Sequence, residues 1–174
     1  MKLALEVTAN APIDRVWEIL GPGYVNAGEW ASAVYISSVR AGQSKTAGAP
    51  AAGRVCQTSL GPFTETIQEY DPSNHRVAYS ATGDKMPGFV KSLVNSWTLT
   101  PAGSGRTKVR MELNADIAFP FNVLMGWMMK MQFRGALKDS IEDLKHYAET
   151  GKPHPRKLKV DGSKKAVAAR QAMA

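Results

Sequence analysis

Glu65 stands two residues after Phe63 and two before Ile67, so on a strand the three share a face. If that face looks inward, a carboxylate sits among apolar groups. Loss of water raises the proton affinity of such a group and suits it to general-base work. An outward face, or a structural ion pair with a basic neighbour, is the alternative. Tyr79 shares a face with Val77 and Ala81, and Asn95 with Leu93, Trp97 and Leu99. Each would bring one polar handle into apolar surroundings, as acid, hydrogen-bond partner or internal tie. At about 100° per residue, Lys130 falls on the helical angle of Leu137, Ile141, Leu144 and Ala148, with Arg134 close beside it. Two cations on a core-facing stripe need partners. Glu65 would serve, and so would the anionic head of a bound fatty acid, acyl phosphate or phenolate. Snorkelling of the two heads to water is the competing reading, and Gly126 and Gly135 would bend the helix.

Other chemistries lack their residues. His75, His146 and His154 have no metal-ligand spacing. Cys56 has no base near it in sequence and reads as a small core residue. There is no glycine-rich phosphate loop and no Gly-x-Ser-x-Gly elbow. No metal or cofactor is expected.

The elements that must position these residues follow from periodicity. Leu3, Leu5 and Val7 alternate along a first strand at 2–8. Asn10 and Pro12 open a helix whose stripe is Ile13, Val16, Trp17 and Leu20, stopped by Gly21-Pro22-Gly23. A short second helix is expected over 24–31. Strands are expected at 33–41, 53–60, 63–71, 75–82, 90–100 and 106–118, with a mobile Ala/Gly/Ser loop at 42–53 between the first two. The last strand alternates most clearly: Val109, Met111, Leu113, Ala115 and Ile117 against charged and polar neighbours. That is a sheet with one covered and one wet face.

One long helix is expected from Phe119 to Glu149. Its second half is amphipathic, with Asp139, Glu142 and Asp143 on the outer faces. Its first half is apolar nearly all round, with Met125, Met128, Met129 and Met131 among the residues, which asks for cover by protein or by a greasy guest. The economical arrangement is α+β: a curved seven-stranded antiparallel sheet gripping the long helix, with a space between them.

The 174 residues carry a net charge of +7, but unevenly. Residues 151–174 hold seven of the 22 Lys and Arg and one of the 15 acids, so the body 1–150 is nearly neutral. The stretch 151–174 reads as a loosely docked, flexible basic tail, solubilising or in transient contact with an anionic membrane. No basic stripe interleaved with aromatics points to nucleic acid. One cysteine, no signal segment and no apolar run of spanning length fit a cytoplasmic protein.

The order of elements over residues 2–150 resembles the helix-grip fold of the START-like, Bet v 1-like superfamily. Within it, the chain is most similar to the bacterial polyketide cyclase/dehydrase and lipid-transport family. The likeness rests on Ala11-Pro12-Ile13-Asp14-Arg15-Val16-Trp17, Glu29-Trp30 leading to Val34, Gly53-Arg54, Thr64-Glu65, Val77-Ala78-Tyr79, and Ser140-Ile141-Glu142-Asp143-Leu144-Lys145. The resemblance implies an apolar cavity without a shared catalytic residue. It places Trp30 near the cavity mouth. The expected ligand contacts are Trp30, Asn95, Trp97, Met111, Trp127, Lys130, Met131, Phe133 and Arg134. Glu65 and Tyr79 would move protons if there is a cyclase or dehydratase reaction. A small hydrophobic ligand is the expected partner, carried or sensed. The sequence leaves a homodimer, or docking through the tail or the exposed helix, open.

Overall fold

The computed structural model describes residues 1–172. Strand β1 (Lys2–Ala9) leads to helix α1 (Ile13–Leu20), a one-turn 3-10 helix at Tyr24–Asn26 and helix α2 (Ala27–Trp30). Six strands follow: β2 (Val34–Val39), β3 (Gly53–Thr58), β4 (Gly61–Asp71), β5 (Arg76–Gly83), β6 (Val90–Pro101) and β7 (Thr107–Ile117). They form one seven-stranded sheet in the order β1-β7-β6-β5-β4-β3-β2, antiparallel throughout. The expected strands are all present, with ends within two residues of those read from periodicity. Along β7 the odd positions from Thr107 to Ile117 are all buried, as the alternation required. Register shifts in β2, β4 and β6 insert bulges, which bend and twist a sheet. That is how it curves around a helix.

The gripped helix is α4 (Gly126–Thr150). It seats on β1 and β7 with α1 and α2 alongside. Leu137, Ile141, Leu144 and Ala148 pack into the main core with Val16, Leu99, Val109, Met111 and Leu113. The expected single helix from Phe119 is broken. A short helix α3 (Phe121–Leu124) ends at Met125, whose φ of −119° and ψ of 0° lie outside helical geometry, and α4 starts afresh.

The last residues differ from the sequence expectation. Gly151, with φ of 70°, caps α4 in the left-handed conformation that glycine adopts without penalty. The chain then turns back as helices α5 (Pro155–Asp161) and α6 (Lys164–Gln171). Arg156 reaches Asp139 at 2.6 Å, Asp143 at 3.0 Å and Glu142 at 3.4 Å. Lys157 is fully buried and donates to the Val34 carbonyl (2.8 Å) and to Asp161 (2.6 Å), and Arg170 also pairs with Asp161. The expected loose tail is thus folded onto α4 and β2 over 155–171, because internal carboxylates receive three of its cations. Asp143 is correspondingly fully buried rather than outward, accepting from the Ser32 amide at 2.8 Å as well as from Arg156.

Candidate functional site

Trp30 of α2 and the residues that follow it, the sheet and α4 line a space of about 310 Å³. Trp30 and Val34 close one side. Phe63, Ala81, Leu93, Trp97, Met111 and Leu113 form the sheet wall, Phe133, Leu137 and Ser140 the helix wall, and the turn at Thr58–Leu60 the rim. Besides the small hydroxyls of Thr58, Ser59 and Ser140, four larger polar side chains stand against this apolar lining: Arg54, Glu65, Tyr79 and Asn95.

The backbone of β3 and β4 sets the central pair. Arg54 lies directly opposite Glu65 in the antiparallel register, so both side chains share a face. A Cβ on Gly53 would stand 1.9 Å from the Glu65 carbonyl oxygen. Only glycine permits the strands to meet this closely, and this approach positions Arg54 on Glu65. The Arg54 Nε donates to Glu65 Oε2 at 2.7 Å, and the Tyr24 hydroxyl donates to the same oxygen at 3.1 Å. Arg54 Nη1 donates to the Tyr24 carbonyl. The guanidinium also lies over the rings of Tyr24 and Tyr79, 4.3 and 5.2 Å from their centroids, a favourable cation–π arrangement. Glu65 Oε1 receives no protein hydrogen bond among the described residues.

The side chains of Arg54 and Glu65 are 7% and 12% exposed. Burial opposes charge on Arg54 most strongly of any single effect, but the acidic groups around it, Glu65 foremost, together outweigh it and hold the guanidinium protonated. Burial pushes the phenols of Tyr24 and Tyr79 well above their usual range, so both are neutral hydroxyls at physiological pH. Tyr79 accepts from Trp97 Nε1 at 3.3 Å, and its own proton reaches no protein acceptor among the described residues. Trp30 Nε1 is buried without a partner among the described residues. It belongs to the wall of a second, roughly water-sized void of about 10 Å³ shared with Tyr24, Arg54, Tyr79 and Trp97. Burial also pushes the Cys56 thiol up to about 12, so it is an inert core group.

The structure brings together Glu65, Tyr79, Trp30, Asn95, Trp97, Met111 and Phe133 of the sequence candidates. It does not bring in Trp127, Lys130, Met131 or Arg134. Trp127 is 70% and Met131 62% exposed. Lys130 and Arg134 are exposed as well. Lys130 is one heptad repeat before Leu137, but at that level α4 does not line the cavity. Lys130 borders Met1, Asp116, Ile117 and Asn122 instead. Of the methionines in the helix, Met129 is buried in a separate cluster with Val90, Ala115 and Ile117, and none lines the cavity. Arg54 and Tyr24 are the members of this polar cluster that periodicity missed. The signal for Arg54 was its alternation with Cys56 on an inward strand face. Nothing local marked Tyr24, which reaches the site from a single 3-10 turn. Among the described residues, no group of three His, Cys, Asp or Glu is placed to hold a metal ion.

A bulged antiparallel sheet wrapped round a C-terminal helix, with a polar cluster inside an apolar space, defines a START-like helix-grip protein. The sequence matches the family described as polyketide cyclase / dehydrase and lipid transport over residues 1–149, and the chain belongs to that family. The solved structures it resembles share its fold at low identity. A START superfamily protein from Mycobacterium smegmatis is 14% identical with a TM-score of 0.66, over 85% of this chain and 97% of that one. The di-domain ARO/CYC BexL from the BE-7585A biosynthetic pathway is 14% identical, TM-score 0.66, over 84% of this chain and 45% of that chain. Truncated norcoclaurine synthase from Thalictrum flavum is 11% identical, TM-score 0.62, over 83% and 91%. No curated protein matches the sequence. Among the described residues, no helix is long and apolar enough to cross a membrane.

Proposed function

We propose that this protein binds a small hydrophobic molecule, as carrier or sensor, in the space between sheet and α4. The supporting observation is the pairing of an apolar lining with buried polar groups left partly unpaired: the Tyr79 proton and Glu65 Oε1. A space of about 310 Å³ falls at the lower end of the roughly 300–1,000 Å³ usual for small-molecule sites. The fitting guest is mostly apolar, with one oxygen to accept from Tyr79 and a hydroxyl or amide to donate to Glu65. Family membership is consistent with either binding or cyclisation. Binding is favoured because Glu65 Oε2 already accepts from both Arg54 and Tyr24, which fixes the carboxylate as part of a buried network.

Native mass spectrometry of the purified protein, with displacement by anilinonaphthalene sulfonate, tests this reading. Ala81 is buried on the cavity wall, so Ala81→Leu fills the space from within. We expect it to weaken probe binding at least about tenfold while overpacking costs only about 1–3 kcal/mol of stability. Unchanged binding in a folded Ala81→Leu protein refutes a guest in this cavity. A cyclase or dehydratase is the second reading, supported by the unaccepted Tyr79 proton. It requires Tyr79→Phe to lower turnover of a polyketide-like substrate about 100-fold or more while leaving probe binding within a few-fold.

A further inference from the structure

Ten large hydrophobic side chains are strongly exposed among the described residues, and six of them fall between Phe119 and Met131: Phe119, Phe121, Val123, Leu124, Trp127 and Met131. The segment is held from beneath. Phe121 stacks on Phe89 with ring centroids 4.4 Å apart, and Met129 is buried against Val90, Ala115 and Ile117. The remaining face is therefore presented outward by an anchored element. On α4, Trp127, Met131, Arg134 and Lys138 recur at i, i+4, i+7 and i+11, so they share one stripe. That stripe is apolar at the free end and cationic towards the middle. Between Ile117 and Lys138 there are three cations (Lys130, Arg134, Lys138) and no carboxylate.

We propose that α3 and the first turns of α4 are a docking surface for an anionic lipid membrane. Trp127, Met131, Val123 and Leu124 enter the headgroup–acyl boundary, and Lys130, Arg134 and Lys138 meet the phosphates. An amphipathic interfacial helix has this distribution of greasy and basic groups. Charge disfavours a second copy of the chain: a two-fold contact sets the same patch against itself, which would bring Lys130, Arg134 and Lys138 towards their own copies, and the nearest acids, Asp116 beside Lys130 and Glu142 3.9 Å from Lys138, already face those cations within each chain. The surface also replaces the C-terminal helices as the membrane contact. Arg156, Lys157 and Arg170 are occupied by Asp139, Glu142, Asp143 and Asp161. The proposal does not depend on what the cavity holds.

Flotation of the full chain with vesicles tests it. One set is phosphatidylcholine alone, and the other contains about 30% phosphatidylglycerol, enough to give a negative surface potential. We expect binding to the anionic set only, falling as salt rises. The triple change Lys130→Gln, Arg134→Gln, Lys138→Gln should weaken it about 100-fold, at roughly fivefold per cation. Trp127→Ser with Met131→Ser should weaken it at least about tenfold. The control Lys159→Gln, Lys164→Gln, Lys165→Gln should leave it unchanged. All eight positions are exposed, and circular dichroism checks that each variant stays folded. Equal binding to both vesicle sets, no binding to either, or loss in the control alone overturns the proposal. A wild-type dimer that Trp127→Ser dissolves also overturns it, in favour of self-association.

Discussion

Replacing Arg54 by methionine keeps its volume and removes its charge. In the native protein the guanidinium sits 2.7 Å from Glu65 Oε2, with the side chains only 7% and 12% exposed, so solvent screens the pair little. Removing one partner of such a pair strands a buried charge and costs about 3–5 kcal/mol. The Tyr24 carbonyl loses its donor as well, adding about 1 kcal/mol. For a chain of this length that total lowers the melting temperature by on the order of 10 °C. Glu65→Leu alone should cost a similar amount, because it leaves the guanidinium unpaired. The double variant, Arg54→Met with Glu65→Leu, removes both charges, leaves an apolar interior and should recover most of the loss. Urea titrations of the four proteins close the cycle, with an expected coupling of about 3–5 kcal/mol. A single variant that costs less than about 1 kcal/mol, or a double variant as unstable as the two losses added, refutes the description of this pair as a buried, mutually dependent unit. A ligand-binding role adds a separate expectation: the stable double variant should still lose affinity for polar-headed guests.

Gly53→Ala should destabilise by roughly 2–4 kcal/mol and also weaken probe binding, since a Cβ there meets the Glu65 carbonyl at 1.9 Å; a neutral result in urea titration would show that β3 and β4 can separate freely. Arg156→Ala should cost about 2–3 kcal/mol, because it strips the cation from fully buried Asp143, and thermal melts that do not move would contradict a docked α5. Cys56 should resist thiol reagents at neutral pH in the folded protein and react once unfolded, as its thiol is pushed up to about 12 by burial; prompt native labelling argues against that burial. The sign for alkaline stability follows from the same shift. Between the usual value of 9.0 and about 12 the folded thiol holds its proton while the unfolded one releases it, so stability falls as pH rises through that window. Tyr24 and Tyr79 act in the same direction. Denaturant midpoints measured from pH 8 upward should fall less steeply for Cys56→Ala than for the natural chain.

Much of the architecture was legible because strands with one covered face carry a period of two. Val109 to Ile117 could pair no other way without turning five apolar side chains to water. Glu65, Tyr79, Asn95 and Trp97 were legible for the same reason, as polar or aromatic members of inward faces. The helix at the C-terminal side was misread where periodicity gave no break. Its apolar first half suggested cover, but Met125 leaves helical geometry and most of the segment stands outside the cavity: Phe133 alone of it reaches the lining among the described residues, and Met129, with Met125 partly, is tucked into a separate cluster. The basic tail was misread because its lysines and arginines find their carboxylates on α4, or one turn along on α5, and composition does not record such meetings.

The sequence by itself determined the antiparallel sheet, the amphipathic half of α4 and the inward faces that face each other across the interior, since each follows from local periodicity and the cost of wetting apolar groups. Only the tertiary structure decided which polar groups meet there. Arg54 and Glu65 are eleven residues apart in the chain and become partners through a register that a glycine permits. Tyr24 joins them across forty-one residues. Whether Lys130 is a ligand contact or a surface cation depended on where α4 runs relative to the end of the sheet, a long-range packing fact that no spacing within the helix encodes.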